Sequence, residues 1–277
     1  MKKLIIFVLC CVIWLFSACG YQENNSVDNS VQILPPSVDD DIIIPPVEIM
    51  PEENLGEIIP PFEDEEIEKK KYLVSKTNSL RIRSGAGSNY LVVGYMDKND
   101  MVLCVEKQGA YYKTIYKEKI AYVHADYVDI IEIDSYTDKV EKAIEFGMKL
   151  LGYPYVWGSE RYHWGNGKLN SNFVNGKFDC SAFVQYIYYK TNGVLLDVTS
   201  RAQSLNGEFI ERSQLKRGDL MFFTNASRYN KQGVERVGHV GIYFGNNYIL
   251  HTASDYAVLE PISDLRWSYY LMSRRVV

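Results

Sequence analysis

Apolar and polar residues alternate in six short runs between Tyr72 and about Ile131. The runs read YLVS, SLRIRS, LVVGYM, MVLCVE, YYKTIY and IAYVHADYV, and turn residues such as those at 85–88 and 98–100 separate them. An alternation with a period of two is typical of half-buried β-strands. Six such strands in so short a segment predict a small all-β barrel.

After Ser135 the apolar spacing becomes that of an amphipathic helix, and strands follow later. The first predicted helix ends at Gly152, and its apolar positions are Val140, Ile144, Gly147 and Leu151. A second helix is predicted from Cys180 to about Asn192-Gly193. The segments LKRGDLMFF, HVGIYF, YILHT and YYLMSRRVV are typical of strands. Helices first and a sheet afterwards predict an α+β domain.

The N-terminus combines two lysines with an unbroken apolar run from Leu4 to Phe16. This run is too short for a membrane span and predicts the core of a signal peptide. The ending LFSAC resembles the lipobox of bacterial lipoproteins, although Phe16 departs from the usual Leu. The resemblance implies removal of residues 1–18 and lipidation of Cys19. A secretory signal cut near Ala18, or a retained membrane helix, stays open as an alternative.

Residues 19–70 form an acidic segment that is rich in proline. Seven of the nine prolines lie there, and residues 21–70 carry 14 acids and 2 lysines. Such a segment cannot bury enough apolar area to fold, so an extended disordered linker is predicted. The chain from Lys71 onward carries 26 basic and 21 acidic residues, a surplus of +5. A basic surface can favour anionic wall polymers or membrane surfaces, but five charges over about two hundred residues indicate an ordinary soluble surface, and no nucleic-acid partner is expected.

The segment FDCSAFVQ carries the candidate chemistry. Asp179 is a good helix N-cap, and Cys180 falls in the first turn, where the helix dipole favours a thiolate. Of the other cysteines, two leave with the signal and Cys104 lies in a strand-like run. Two imidazoles follow, His239 in GHVGIYF and His251 in YILHT. A thiol with two later imidazoles suits a nucleophile, a base and an orienting group.

His239 and His251 lie on two predicted strands that flank residues 245–247. If these three residues form the loop, Phe244 opposes Tyr248 and both histidines share one face of the sheet. A two-residue loop would place the rings on opposite faces. If that face meets the cysteine helix, His239 can accept the thiol proton and His251 can hold its tautomer.

Five phrases, in order, resemble the NlpC family of cell-wall cysteine peptidases, which have a papain-like fold: GYPYVWG, FDCSAFVQ, LKRGDLMFF, GHVGIYF and YILHT. The resemblance covers essentially all of residues 135–277. It implies that Cys180 is the nucleophile, His239 the base and His251 the orienting residue. It further implies that three residues bind substrate, namely Tyr155, Asp179 and Ser181. No metal and no cofactor are expected.

The phrases SLRIRSGAGSNYLVVGYM and AYVHADYV resemble bacterial SH3-like domains, which are common accessories of wall hydrolases. An SH3-like domain is therefore expected over residues 71–132. Some family members with this pairing act on free muropeptides bearing an N-terminal L-Ala. In those proteins the counterpart of Asp179 helps to receive the amine.

Two features depart from the family pattern. Ser159 and Ala182 stand where members usually have Gly. The loop over residues 159–177 is longer than usual and brings Arg161 and His163 near the presumed cleft. His163 is interpreted as a surface-loop residue.

The resemblance implies an exported, lipid-anchored hydrolase on the outer face of a bacterial membrane. Its partners would be peptidoglycan stem peptides or muropeptides, and the bond cut would join the γ-carboxyl of D-glutamate to the next diamino acid. The alternatives are an N-acetylmuramoyl-L-alanine amidase, an acyltransferase on the same scaffold, and a non-catalytic wall-binding lipoprotein.

Overall fold

A computed structural model describes residues 68–252 and 255–277. The predicted signal peptide, the predicted lipidation site Cys19 and nearly all of the acidic linker lie outside the described residues. Within the described residues, no helix is long and apolar enough to cross a membrane.

The first part of the described chain is built entirely from short strands around a 3₁₀ turn at Ala125–Tyr127. The strands are β1 (Lys69–Ser75), β2 (Leu80–Arg83), β3 (Val92–Met96), β4 (Met101–Leu103), β5 (Glu106–Gln108), β6 (Tyr111–Tyr116), β7 (Lys119–His124) and β8 (Val128–Asp134).

Two small antiparallel sheets hold these strands, in the orders β4-β1-β8 and β3-β2-β7-β6-β5. The six predicted runs become eight strands because two of them break. MVLCVE breaks at Cys104 and Val105, and IAYVHADYV breaks at the 3₁₀ turn. Alternating buried residues such as Leu80 and Ile82 face a common core, as the period of two predicts.

The remaining residues combine four helices with one sheet, which confirms the predicted mixture of α and β structure. The helices are α1 (Asp138–Lys149), α2 (Cys180–Asn192), α3 (Ser200–Gln203) and α4 (Asp264–Ser268). The strands are β9 (Glu208–Ile210), β10 (Leu220–Phe223), β11 (His239–Gly245), β12 (Tyr248–Thr252), β13 (Ala257–Pro261) and β14 (Tyr270–Arg275). They pair antiparallel in the order β13-β12-β11-β10-β14-β9.

The hairpin between β11 and β12 turns over two residues, Asn246 and Asn247. Both have positive φ, 50° and 63°, and Gly245 pairs with Tyr248 across the turn. Asn tolerates this left-handed conformation better than most residues, which suits a tight hairpin turn. The loop is therefore one residue shorter than the three-residue loop that was predicted.

A bulge at Phe244 restores the register that the loop alone would have lost. Tyr243 pairs with Ile249 beyond the bulge, as a three-residue loop would have arranged. One extra residue in a strand moves every following side chain to the other face. His239 and His251 therefore lie on the same face of the sheet, as predicted.

Arg217, buried in an ion pair with Glu141, links the two parts of the described chain through Tyr72. Arg217 donates to both carboxylate oxygens of Glu141, at 2.7 and 3.0 Å. The same guanidinium donates to the hydroxyl of Tyr72 on β1 at 2.7 Å and to the carbonyl of Phe244 at 2.8 Å. Because all of these groups are buried or nearly so, each depends on the others for its hydrogen bonds.

Candidate active site

Helix α2 begins at Cys180 because the residue before it is an effective cap. The carboxylate of Asp179 accepts a hydrogen bond from the backbone N–H of Ala182 at 2.9 Å. The helix ends at Gly193, whose φ of +67° is the left-handed conformation that favours glycine. Cys180 therefore lies in the first turn, as predicted.

The thiol of Cys180 faces strand β11 and is only 8% exposed. Its sulfur lies against the backbone N–H of Val240, the residue that follows His239, and against the N–H of Ser181. Both amides favour the thiolate. The structure therefore brings the sulfur to the start of the strand that carries the candidate base.

Burial controls the ionisation of this thiol. Desolvation, together with the charge of Asp179, raises the pKa of Cys180 to about 11, although both amides and Arg161 act in the opposite direction. The first-turn amide of Ser181 does favour the thiolate, as predicted, but burial opposes it more strongly. Loss of hydration outweighs the helix dipole here, so the cysteine is a neutral thiol at neutral pH.

The two histidines form a direct hydrogen bond. The Nε2 atom of His239 lies 2.8 Å from the Nδ1 atom of His251, and the rings meet edge to face at 5.1 Å. His251 is fully buried, whereas His239 is partly exposed. His251 also contacts Glu260, whose Oε1 atom lies 3.0 Å from its Nε2 atom.

Both imidazoles are neutral at neutral pH. Desolvation lowers the pKa of His239 well below its ordinary value, and nearby His251 and Arg266 lower it further. Desolvation also lowers the pKa of His251, against the opposing hydrogen bond to Glu260. A neutral imidazole beside a neutral thiol can act as a general base during attack.

Gly241 makes room for the imidazole pair. A Cβ atom at this position would lie 2.9 Å from the Cβ of His251 and 2.6 Å from the Cδ1 of Ile249. Side chains on neighbouring antiparallel strands approach closely, so only glycine leaves the space that these two residues occupy.

The candidate nucleophile and base line two cavities that share Tyr155, Asn225 and Gly238. Cys180 lines one cavity of about 410 Å³, and His239 lines the other, of about 440 Å³. Tyr155 lies near Cys180, and burial, with smaller effects of Cys180 and Asp179, raises the pKa of the phenol. A substrate chain could therefore pass over the sulfur with room on both sides.

Asp179 and Ser181 line the cysteine side of this cleft, but Asp179 is already paired. The Nη2 atom of Arg161 lies 2.9 Å from the Asp179 carboxylate and 3.1 Å from the Ser181 hydroxyl. Ser159 accepts a hydrogen bond from the Asp179 backbone N–H at 2.7 Å. The serine that departs from the family's glycine therefore fixes the start of helix α2.

His163 is not the surface residue that the sequence indicated. Its ring is fully buried and lies 4.7 Å from the ring of Tyr189. Its Nδ1 atom accepts the N–H of Gly165 at 3.0 Å. The long loop folds inward here because its aromatic residues pack on helix α2. His163 is thus a structural residue of the loop and lines neither of the two cavities.

Residues 152–276 match the model of the NlpC/P60 family. This segment, somewhat less than half of the chain, resembles an NlpC/P60 domain and contains Cys180, His239 and His251. Within the described residues, no group of three or more His, Cys, Asp or Glu side chains could hold a metal ion.

Curated proteins that are similar to this chain have named activities. The peptidoglycan DL-endopeptidase CwlO of Bacillus licheniformis is 32% identical over 150 residues, 52% of this chain and 30% of that protein. The gamma-D-glutamyl-L-lysine dipeptidyl-peptidase of Bacillus cereus is 33% identical over 116 residues, 42% of this chain and 29% of that protein. The chain therefore spans less than a third of the length of either relative.

A solved NlpC/P60 family protein from Bacillus cereus superposes with a TM-score of 0.38 and 20% identity. The superposition covers 75% of this chain and 63% of that chain.

The sequence alone does not signal Glu260 or Arg266, and it places Arg161 near the cleft without indicating its partner. Glu260 and Arg266 reach the histidine pair only through the pairing of β13 with β12 and through helix α4. Arg161 reaches Asp179 from the long loop, and its side chain also donates to the carbonyl of Val198.

Proposed function

We propose that this chain is a peptidoglycan hydrolase that cleaves stem peptides between the γ-carboxyl of D-glutamate and the next diamino acid. The observation that carries the proposal is the Cys180 thiol beside β11, at the residue that follows the hydrogen-bonded His239. The relatives named DL-endopeptidase and gamma-D-glutamyl-L-lysine dipeptidyl-peptidase support the choice of bond.

In the proposed reaction Cys180 is the nucleophile and His239 is the base. The thiol proton moves to the imidazole as sulfur attacks the carbonyl carbon, so that a C–S bond and an oxyanion form. Collapse of this intermediate breaks the C–N bond, and the imidazolium protonates the departing amine. Water, deprotonated by the same imidazole, then hydrolyses the thioester and restores the thiol.

The residues around the sulfur suit the remaining needs of this reaction. The phenol of Tyr155 and the backbone N–H of Cys180 are the proposed donors to the oxyanion. Asp179 and Ser181 form the adjoining wall, and the indole of Trp157 is 85% exposed at the rim. An exposed aromatic beside a cleft can stack on a bound chain.

The all-β unit of residues 69–134 is proposed to be an SH3-like wall-binding domain. It carries a cavity of about 520 Å³ whose lining combines basic and aromatic residues, including Arg81, Arg83, Tyr111, His124 and Tyr127. This lining suits an anionic peptide. Lipidation at Cys19 would hold the enzyme at the membrane while the acidic linker gives it reach into the wall.

Product mapping on a defined stem peptide tests the proposed bond. The purified chain is incubated with a muropeptide of sequence L-Ala–γ-D-Glu–diamino acid–D-Ala, and the products are identified by mass spectrometry. Cleavage after D-Glu supports the proposal, and release of an intact stem peptide from muramic acid indicates the amidase instead. Binding to sacculi without turnover indicates a wall-binding protein. Cys180→Ala should abolish cleavage, whereas Cys104→Ala should leave it nearly unchanged.

A further inference from the structure

Glu260 lies beside the histidine pair because of the register of β13 on β12. His251 pairs with Val258, and Ile249 pairs with Glu260. The glutamate is therefore a diagonal neighbour of His251 on the same face of the sheet. Its Oε1 atom lies 3.0 Å from the His251 Nε2 atom. The same oxygen lies 3.2 Å from the Nη2 atom of Arg266.

Glu260 is a carboxylate in this setting. Burial acts to raise its pKa, but the hydrogen bond from His251 and the charge of Arg266 bring that pKa below its ordinary value. An ionised carboxylate can only accept hydrogen bonds. The Nε2 atom of His251 must therefore carry the hydrogen of that contact.

Counting the hydrogens then fixes the tautomer of both imidazole rings. A neutral imidazole carries one N–H, so the Nδ1 atom of His251 is an acceptor. The Nε2 atom of His239, at 2.8 Å, must donate to it. The only ring nitrogen of His239 with a free lone pair is then Nδ1, which is the atom available to take a proton from the thiol.

We propose that Glu260 is a positioning residue that sets the tautomers of both histidines, with Arg266 holding its carboxylate in place. This inference rests on the proposed function, because it assigns His239 as the base. Without the carboxylate, the fully buried His251 has no acceptor that selects one tautomer. In the Nδ1–H form, His251 would donate to the Nε2 atom of His239. His239 would then carry its own hydrogen on Nδ1, and no lone pair would face the thiol.

Glu260 also matters once His239 is protonated. The imidazolium donates to His251, and His251 donates to the carboxylate, so a negative charge ends the chain of hydrogen bonds. Among the described residues, the other charged or titratable groups near this site include Cys180, Tyr155 and the Asp179–Arg161 pair on the cleft side, Arg266 beside Glu260, and Asp100 and Tyr256, which feel the charge of Glu260. Glu260 is the acidic group in direct contact with the histidine pair.

Glu260→Leu tests the assignment, with Glu260→Asp as the conservative variant and Glu208→Leu as the control. Glu208 is an exposed strand residue of the same sheet. We expect Glu260→Leu to lower kcat about 10- to 100-fold on the stem peptide, with KM changed less than about threefold. Glu260→Asp should recover part of the loss, and Glu208→Leu should have no effect. Wild-type kcat in Glu260→Leu would overturn the proposal.

A second measurement does not depend on turnover or on a folded variant. ¹⁵N spectra of the wild-type protein with labelled histidine report which ring nitrogen carries the proton. Nε2–H on both His239 and His251 supports the proposal, even if the protein proves to cut another bond. Nδ1–H on His251 in the wild type overturns it, even if the protein cleaves stem peptides as proposed.

Discussion

The guanidinium of Arg161 lies 2.9 Å from the carboxylate of Asp179, at the first residue before the cysteine helix. The family resemblance gives the counterpart of Asp179 a role in receiving a substrate amine. Here that negative charge is already neutralised by a residue of the long loop. The side-chain pair is almost buried, at 15% and 8% exposure, so the interaction is only weakly screened by solvent.

Removing the charge of Arg161 should change substrate preference. Arg161→Gln leaves Asp179 free to pair with an amine. The KM for stem peptides with a free N-terminal L-Ala should therefore fall about tenfold relative to the KM for N-acetylated peptides, which corresponds to ~1.4 kcal/mol. Steady-state kinetics on the two peptides measure this ratio. Lys168→Gln, an exposed residue of the same loop, is the control. An unchanged ratio would contradict the idea that Arg161 masks Asp179.

Alkylation should show that Cys180 is a thiol at rest. Because burial raises the pKa of Cys180 to about 11, its thiolate fraction grows as pH rises toward that value. In the Cys104→Ala background, the rate of reaction with iodoacetamide should be slow at pH 7 and rise roughly tenfold per pH unit up to about pH 10. A rate that is already constant between pH 6 and 8 would indicate a preformed thiolate instead.

Asp100 should make the protein less stable as pH rises. Its carboxylate accepts the N–H of Asp97 at 2.7 Å, but burial, with smaller effects of nearby Glu260 and Asp97, raises its pKa to about 7. The unfolded chain loses this proton from about pH 4, and the folded chain keeps it until about pH 7. The contribution of Asp100 to the free energy of unfolding is therefore fully present below pH 4 and is lost as pH rises to 7.

Asp100→Asn removes that penalty and keeps an acceptor for the Asp97 N–H. Because solvent reaches part of the carboxylate, the gain at pH 8 should be about 1–2 kcal/mol. Thermal unfolding of both proteins between pH 4 and 8 measures it. The difference in Tm should be small at pH 4, grow up to pH 7 and stay constant above. A difference that does not depend on pH would exclude titration of Asp100 as the cause.

Arg217 should be essential for stability. Arg217→Met leaves the buried carboxylate of Glu141 without its main partner, since the Nζ atom of Lys70 is 3.9 Å away. The expected loss is about 3–5 kcal/mol in the free energy of unfolding, measured by urea denaturation. Lys216→Met, at the exposed neighbouring position, should change it by less than about 0.5 kcal/mol.

The double variant Arg217→Met with Glu141→Leu separates charge from packing. If the loss comes from an unpaired buried charge, removing both charges should recover most of the stability. A double variant as unstable as Arg217→Met alone would mean that the contacts of Arg217 with Tyr72 and Phe244 carry the effect.

Local signals explain what the sequence predicted well. Helix α2 was predictable because its cap Asp179, its apolar face and its terminal Gly193 are all close in sequence. The shared face of His239 and His251 was predicted on the condition of a three-residue loop. The structure reaches the same face in another way, because a two-residue turn plus a bulge gives the same register as a three-residue loop.

Effects that depend on tertiary packing escaped the sequence. The ionisation of Cys180 was predicted from the helix dipole, a local effect, whereas its burial depends on strands far along the chain. The burial of His163 depends on packing against Tyr189, and no pattern within the loop marks it. Glu260 becomes a neighbour of His251 only through the register of β13.

The acyl-enzyme tests the central claim most directly. The purified chain is mixed with the stem peptide, quenched in acid within milliseconds to seconds, digested and analysed by mass spectrometry. We expect a transient thioester on the peptide that contains Cys180, with the added mass of the L-Ala–γ-D-Glu acyl fragment. An adduct that carries the diamino acid, or product formed at full rate by Cys180→Ala, would contradict it.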